Sequence, residues 1–461
     1  MIMQRNHIAM EIEFRRHGIL TARQLVDALG VNQSTISRML SRVDKGRILQ
    51  FGRRRGTRYA MTRDLPGLGF CWPLYEIDQD GRPQITGQLY ALAGRQWCLQ
   101  QDVPWDSLRG DDFRDGLYPG FPWFLDDLRP QGFLGRLFAA THSHLLGLPP
   151  DPRDWQPDDV VLSLLRHGTE LPGSFVLGNA MLAPTQTTQL AGPAAAPEST
   201  RAALYAARAD SILEGEWPGS SAAGEQPKFT AVVQNESGDS RHVLVKFSGR
   251  AGRPEDERWA DLLASEHTAA IVLAENGIPA AQAALIDSGG RRFLESTRFD
   301  RIGPHGRRSV VSLAALDAAF FGQLQTPWTA AAERLREGGW LTAPEADHLK
   351  LLWWFGTLIG NTDMHYGNIS LFLNRQRPLS LAPSYDMLPM LYRPNTEGEI
   401  PERKLTPPPP PPESLALWSN ASTMAETFWM RVAATPQISP PFREIAARNR
   451  ELITRYRRQF L

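Results

Sequence analysis

The sequence predicts an α+β chain in which a small helical head with a β-hairpin precedes a body where strands give way to long helices. Three observations carry this. Apolar residues recur at helical spacing twice between residues 21 and 43, then alternate at strand spacing. Strand-like runs mark residues 229–233, 242–247 and 369–373, and helical stripes mark 255–276, 344–358 and 442–460. Hydrophobic residues make up 42% and charged residues 22% of 461, which excludes a disordered or fibrous chain.

No apolar run reaches the roughly 18–20 residues of a membrane span, so no membrane partner is expected. Met1 to Gly18 is dotted with charge and lacks the apolar core of a signal peptide. Cys71 and Cys98 provide no disulfide framework. A reducing, cytoplasmic location is the expectation. The net charge of zero is unevenly spread. Residues 1–62 hold 12 Lys+Arg against 4 Asp+Glu, and the rest of the chain carries the opposite excess. A basic head suits a polyanionic partner.

Thr21 is placed to cap a helix with Leu25, Val26 and Leu29 inward and Gly30 as its stop. A turn leads to a second helix, from about Ser34 to Val43, with Ile36, Met39 and Leu40 inward. Its outward residues Gln33, Ser34, Thr35, Ser37, Arg38 and Arg42 are types that reach base edges and phosphates in a major groove. A hairpin over residues 48–60 has Arg53, Arg54 and Arg55 at its tip, suited to phosphate contact. Helix, turn, helix and basic hairpin in this order resemble a winged helix-turn-helix over residues 1–64, with duplex DNA as partner and a homodimer on DNA as one arrangement. A solvated charged face is the plainer alternative.

Residues 65–181 are rich in aromatics and proline. A hairpin turning at Gln79-Asp-Gly81 and helices near 132–145 and 158–167 are expected. His142, His144 and His167 read as scattered structural histidines. The Ala-, Pro-, Thr- and Gln-rich stretch 182–200 reads as a linker or exposed loop.

The chemistry lies beyond residue 210. A small-residue loop, Gly219 to Lys228, feeds a strand, as in loops whose backbone N–H groups approach phosphates. Lys246 interrupts an apolar strand, where its charge needs a partner or an edge from which to snorkel. Glu266 falls inside the apolar stripe of the helix over 255–276, so it pairs with Lys246 or else bonds water or Arg258. A strand lysine paired with a helix glutamate holds ATP phosphates in kinases. Asp363, then Asn368 five residues on, then a hairpin and Asp386 repeat the base-and-magnesium layout of phosphoryl transfer. Hard oxygen ligands suit Mg²⁺.

Glu225-Gln-Pro-Lys228, Val245-Lys246, Thr297-Arg-Phe-Asp-Arg301, Gly360-Asn-Thr-Asp-Met-His-Tyr-Gly-Asn368 and Ala382-Pro-Ser-Tyr-Asp386 resemble the signatures of the HipA family of bacterial protein serine/threonine kinases, toxins of toxin–antitoxin systems. With a fused winged helix, the chain resembles the YjjJ-type branch. The resemblance spans roughly residues 70–400. It implies a two-lobed HipA-like kinase fold, with a mixed α/β N-lobe (core 201–300) and a mainly helical C-lobe (301–461). It implies ATP and Mg²⁺ as cofactors, a cellular protein as substrate and an antitoxin protein as partner. Asp363 would be the catalytic base, with Lys246 and Glu266 beside it. Asn368 and Asp386 would hold magnesium. Ala223, Gly224, Gln226 and Lys228 would form the phosphate loop, Thr297 and Phe299 the hinge, and His365 and Tyr385 the pocket wall. Ser221 would be the self-phosphorylated residue. The chain departs from the family at Gly367, where a lysine usually stands. A nucleotide-sensing transcription regulator with a degenerate kinase body, and a metal-dependent DNA nuclease using Asp363, His365 and Asp386, are the alternatives. The six prolines Pro407 to Pro412 read as a stiff strut.

Overall fold

The computed structural model describes residues 2–44, 46–113, 115–168, 170–183, 195–215 and 226–461. Ser221, Ala223, Gly224 and the Arg55 side chain lie outside the described set. The chain divides into two compact units, Met1–Ile77 with Pro83–Arg129 and Trp155–Gln186, and Asp78–Arg82 with Pro130–Asp154 and Thr187–Leu461.

The first unit opens with α1 (Ile2–His17), β1 (Ile19–Thr21), α2 (Ala22–Leu29), α3 (Gln33–Arg42), β2 (Ile48–Phe51) and β3 (Arg58–Met61). Thr21 caps α2 by accepting from Gln24 N, and the Gln24 side chain accepts from Thr21 N in return. Gly30, at φ +62°, ends the helix in a conformation that costs glycine little. Asn32 Oδ1 accepts from Thr35 N at 2.9 Å and starts α3 one residue earlier than the sequence suggests. The strands form a sheet in the order β1-β3-β2. Met10 and Phe14 of α1 pack with Leu20, Leu25, Ile36, Met39 and Ala93. A second core joins Leu49, Phe51 and Ala60 of the hairpin to Leu92 and Cys98. Arg58 of β3 pairs with Asp115.

Next in chain order come β4 (Cys71–Ile77), β5 (Pro83–Ala91), β6 (Trp97–Gln100), α4 (Asp106–Arg109), β7 (Leu117–Tyr118), α5 (Gly132–Leu146), which belongs to the second unit, α6 (Pro157–His167) and β8 (Phe175–Leu177). The five strands make an antiparallel sheet, β7-β6-β5-β4-β8, over a core rich in tryptophan and phenylalanine.

In the second unit, β9 (Ala196–Pro197), α7 (Arg201–Gly215), β10 (Lys228–Gln234), β11 (Ser240–Phe247), α8 (Pro254–Glu275), β12 (Ala283–Ser288) and β13 (Arg291–Thr297) build a sheet ordered β12-β13-β11-β10-β9. The stretch read as linker therefore contributes an edge strand, because Ala196 and Pro197 pair in parallel with Val233 and Gln234. Tyr205 and Ala209 of α7 pack on Phe229, Val243, Val245, Phe247 and Phe293. Side chains alternate along β11, so Lys246 points to the opposite face, where α8 lies. The helical portion follows, with β14 (Arg301–Ile302), β15 (Gly306–Arg307), β16 (Val310–Ser312), α9 (Leu313–Phe320), α10 (Trp328–Glu337), α11 (Ala343–Ile359), β17 (Ser370–Phe372), β18 (Ser380–Leu381), α12 (Leu415–Ala434) and α13 (Pro440–Phe460).

Candidate active site

Lys246 sits at the end of β11, opposite Lys228 on β10. Its Nζ donates to Glu266 Oε1 at 2.6 Å and Oε2 at 2.8 Å, and also to Asp386 Oδ1. Glu266 is thus paired to the lysine, while Arg258 turns away to the Tyr392 carbonyl. Burial opposes the ammonium, but the Asp386 and Glu266 carboxylates outweigh it and hold Lys246 above its ordinary range. Burial pushes the Glu266 carboxyl up. Asp386 goes the other way, because the Lys246 and Lys228 charges outweigh its burial and hold it below the usual carboxylate range. Asp386 also has φ +53°, a left-handed conformation that few residues other than Gly, Asn and Asp adopt readily.

α11 stops at Gly360, φ +76°, and the chain then turns through Asn361 to Asn368. Asn361 is buried and joins two pieces of this site. Its Oδ1 accepts from Asp363 N at 3.1 Å, and its Nδ2 donates to the Asp386 carbonyl at 3.2 Å. Asn368 Nδ2 donates to the Asp363 carbonyl at 2.7 Å, which leaves Oδ1 as the acceptor end of that amide. Among the described residues, none donates to the Asp363 carboxylate. His365 Nδ1 accepts from Gly367 N at 3.0 Å, so the ring proton belongs on Nε2. Tyr366 is buried beside it, its hydroxyl bonded to Thr326 at 2.5 Å and to Arg334 at 3.0 Å.

Tyr385 donates to the Gly367 carbonyl at 2.9 Å and stacks at 5.7 Å on Phe299, which also meets Phe372 at 6.1 Å. Thr297 closes β13 with its N–H on Gln282 O at 2.8 Å. Gln226 keeps a buried amide nitrogen without a partner among the described residues. Two positions here carry little sequence signal. Asn361 is one more polar residue in a polar motif. Gly356 on α11 looks like any helical glycine, yet a Cβ there would overlap the Met364 sulfur and crowd that of Met387. Its small size seats the residues next to Asp363 and Asp386.

On α3, Gln33, Ser34, Ser37, Arg38 and Arg42 are exposed and Thr35 is half-exposed. The Ser34 and Thr35 hydroxyls both donate to Asn32 Oδ1 at 2.8 Å, so the cap already engages them. Arg53 and Arg54 are exposed at the hairpin tip, with Arg54 at φ +58°.

Residues 68–186 match the middle domain of YjjJ-like toxins, and residues 220–459 match the HipA-like C-terminal domain. Toxin YjjJ of Escherichia coli (strain K12) is 37% identical over 430 residues, covering 93% of this chain and 94% of that protein. The chain belongs to the YjjJ-like, HipA-related toxins. A chain of the Shewanella oneidensis MR-1 toxin–antitoxin complex of HipA, HipB and operator DNA matches with a TM-score of 0.51 at 14% identity. The match covers 84% of this chain and 97% of that one. The YjjJ-like toxin and the HipA chain therefore share a mixed α/β fold. No described helix is long and apolar enough to cross a membrane.

Proposed function

We propose that this YjjJ-like toxin is an ATP- and Mg²⁺-dependent protein serine/threonine kinase that inhibits growth by phosphorylating a cellular protein. The observation that carries the reading is the buried Lys246 held by Glu266 and Asp386, with Asp363 tied to Asp386 through Asn361. A lysine fixed by a helix carboxylate is a device for drawing in ATP phosphates. The donor set fits magnesium, since Asp386 and Asn368 Oδ1 offer hard oxygens. When bound, the metal neutralises phosphate charge. Asp363 takes the proton of the substrate hydroxyl. Lys228 adds a second cation, and the Gln226 amide, without a partner among the described residues, supplies a donor at the end of the phosphate loop. Phe299 and Tyr385 give aromatic faces for the base, with Thr297 at the hinge and His365 Nε2–H as a donor. Ala223, Gly224 and self-phosphorylated Ser221 take their roles from the family resemblance.

The head is read as a winged helix-turn-helix that binds duplex DNA, which would associate the cytoplasmic protein with the nucleoid. The neighbouring complex of HipA, HipB and operator DNA supports DNA and an antitoxin as partners, and a homodimer on DNA is the matching arrangement. Gly367 favours a second reading, a regulator that binds nucleotide without transferring phosphate, because a cation there would stabilise the transferring group. Incubation with labelled ATP and Mg²⁺, followed by intact mass and phosphopeptide mapping, decides. Phosphoryl addition, including on Ser221, supports the kinase. Nucleotide binding with no phosphoryl addition to this chain or to a cell extract supports the regulator.

A further inference from the structure

α8 carries a second buried carboxylate that the proposed chemistry does not use. Asp261 accepts from Ser439 N at 2.7 Å on one oxygen and from Ser439 Oγ at 2.6 Å on the other. Ser439 is the residue before α13, and it makes no side-chain cap of its own. Pro440 and Pro441 have no N–H, and Phe442 N and Arg443 N bond to the Ser439 carbonyl. The cap of this 21-residue helix is therefore supplied from another helix, where a carboxylate also meets the positive end of the α13 dipole. The neighbours reinforce the joint. Arg258 lies over the Phe442 ring at 4.9 Å, and Arg292 of β13 donates to Gln437 O at 2.6 Å.

Glu266 stands five residues beyond Asp261, about 140° around α8. One face of the helix grips α13 while another presents Glu266 to Lys246. Turning α8 enough to withdraw Glu266 would pull Asp261 off the end of α13. We propose that Asp261 is a positioning residue, which presets the Lys246–Glu266 pair by capping α13 from α8. This rests on the kinase reading only for its consequence. The joint itself is tested without any phosphoryl transfer.

The test is labelling of Lys246 in the full chain by an amine-reactive ester at pH 8, read by peptide mass spectrometry, beside Mg-ATP affinity by calorimetry. In the wild type, labelling of Lys246 is slow. Asp261→Ala raises the rate roughly ten-fold, because local opening frees the amine from Glu266 more often, and weakens Mg-ATP binding. Asp261→Asn keeps an acceptor for Ser439 N and restores near-wild-type protection. Ser439→Ala loses one hydrogen bond of two and gives a smaller rise, about two- to three-fold. It decides the matter if Asp261→Ala does not fold. A lower melting temperature with Lys246 protection unchanged in both variants overturns the proposal and leaves Asp261 a merely structural residue. If labelling responds as described while no protein binds ATP, the joint stands and the kinase reading falls.

Discussion

Asp363 is the residue whose loss should separate chemistry from binding. Asp363→Asn keeps the size and one carbonyl oxygen but cannot take a proton, so phosphate incorporation should fall about 10²–10⁴-fold. ATP affinity by calorimetry should stay nearly unchanged, and near-normal incorporation would remove Asp363 as the base. Asp386→Asn should instead lower both Mg-ATP affinity and rate, and asparagine tolerates the left-handed backbone there. Lys246→Ala strands two carboxylates and should cost roughly 3–5 kcal/mol of stability near neutral pH. The pH dependence follows from the direction of each shift. Lys246 is held above its ordinary 10.5, so its contribution is complete below that value and is lost as pH rises through the higher folded one. Asp386 is held below its ordinary 3.8, so its contribution is present above 3.8 and is lost as pH falls through the lower folded value. Glu266, pushed up by burial, opposes folding once ionised. Denaturant unfolding of wild type and Lys246→Ala should therefore differ most between about pH 4 and 10 and converge above 10.5. A gap that persists undiminished well into alkali would mean that the pair is not its source.

At the scale of elements, the head makes a sharp expectation. If the full chain neutralises about five phosphates, log K against log salt should slope near −4.5. Arg53→Ala and Arg54→Ala should each flatten the slope by about one. A slope near zero would end the DNA reading. The caps at Thr21 and Gly30 made α2 legible, as did the periodicity for α8, α11 and α13. By contrast, α1 hides its inward Met10 and Phe14 beside exposed Ile8 and Ile12, so no clean stripe appears. The Ala-rich α7 merges in composition with the Ala-Pro stretch before it. Lys246 and Glu266 were legible because charge inside an apolar pattern demands a partner, and Asp386 through its place after Asp363 and Asn368, whereas its contact with Lys246 was not foreseen. Asn361 and Gly356 were not, since their roles rest on backbone bonds and close approach. Gly356→Val should overpack Met364 and Met387, at about 1–3 kcal/mol. Thermal melts should register that loss together with reduced phosphate incorporation, and unchanged values for both would show that the two methionines have room to yield.

Across the whole molecule, the order of most strands and helices was readable, but the packing across residue 64 was not. A boundary at residue 64 passes through a core in which Leu49, Phe51 and Ala60 cover Leu92 and Cys98. A chain starting at residue 65 should therefore melt lower than the full protein and bind more of a dye that reports exposed apolar surface. An equal melting temperature would show that the core tolerates the cut. That shared core has a consequence for dosage. Where a DNA reader and the toxin it accompanies are separate polypeptides, a cell can set their ratio by making or degrading one faster than the other. Here the proposed reader lies on the same chain as the body and shares a core with the segment that follows it, so every copy of the body is synthesised with one head, and their stoichiometry is fixed at translation.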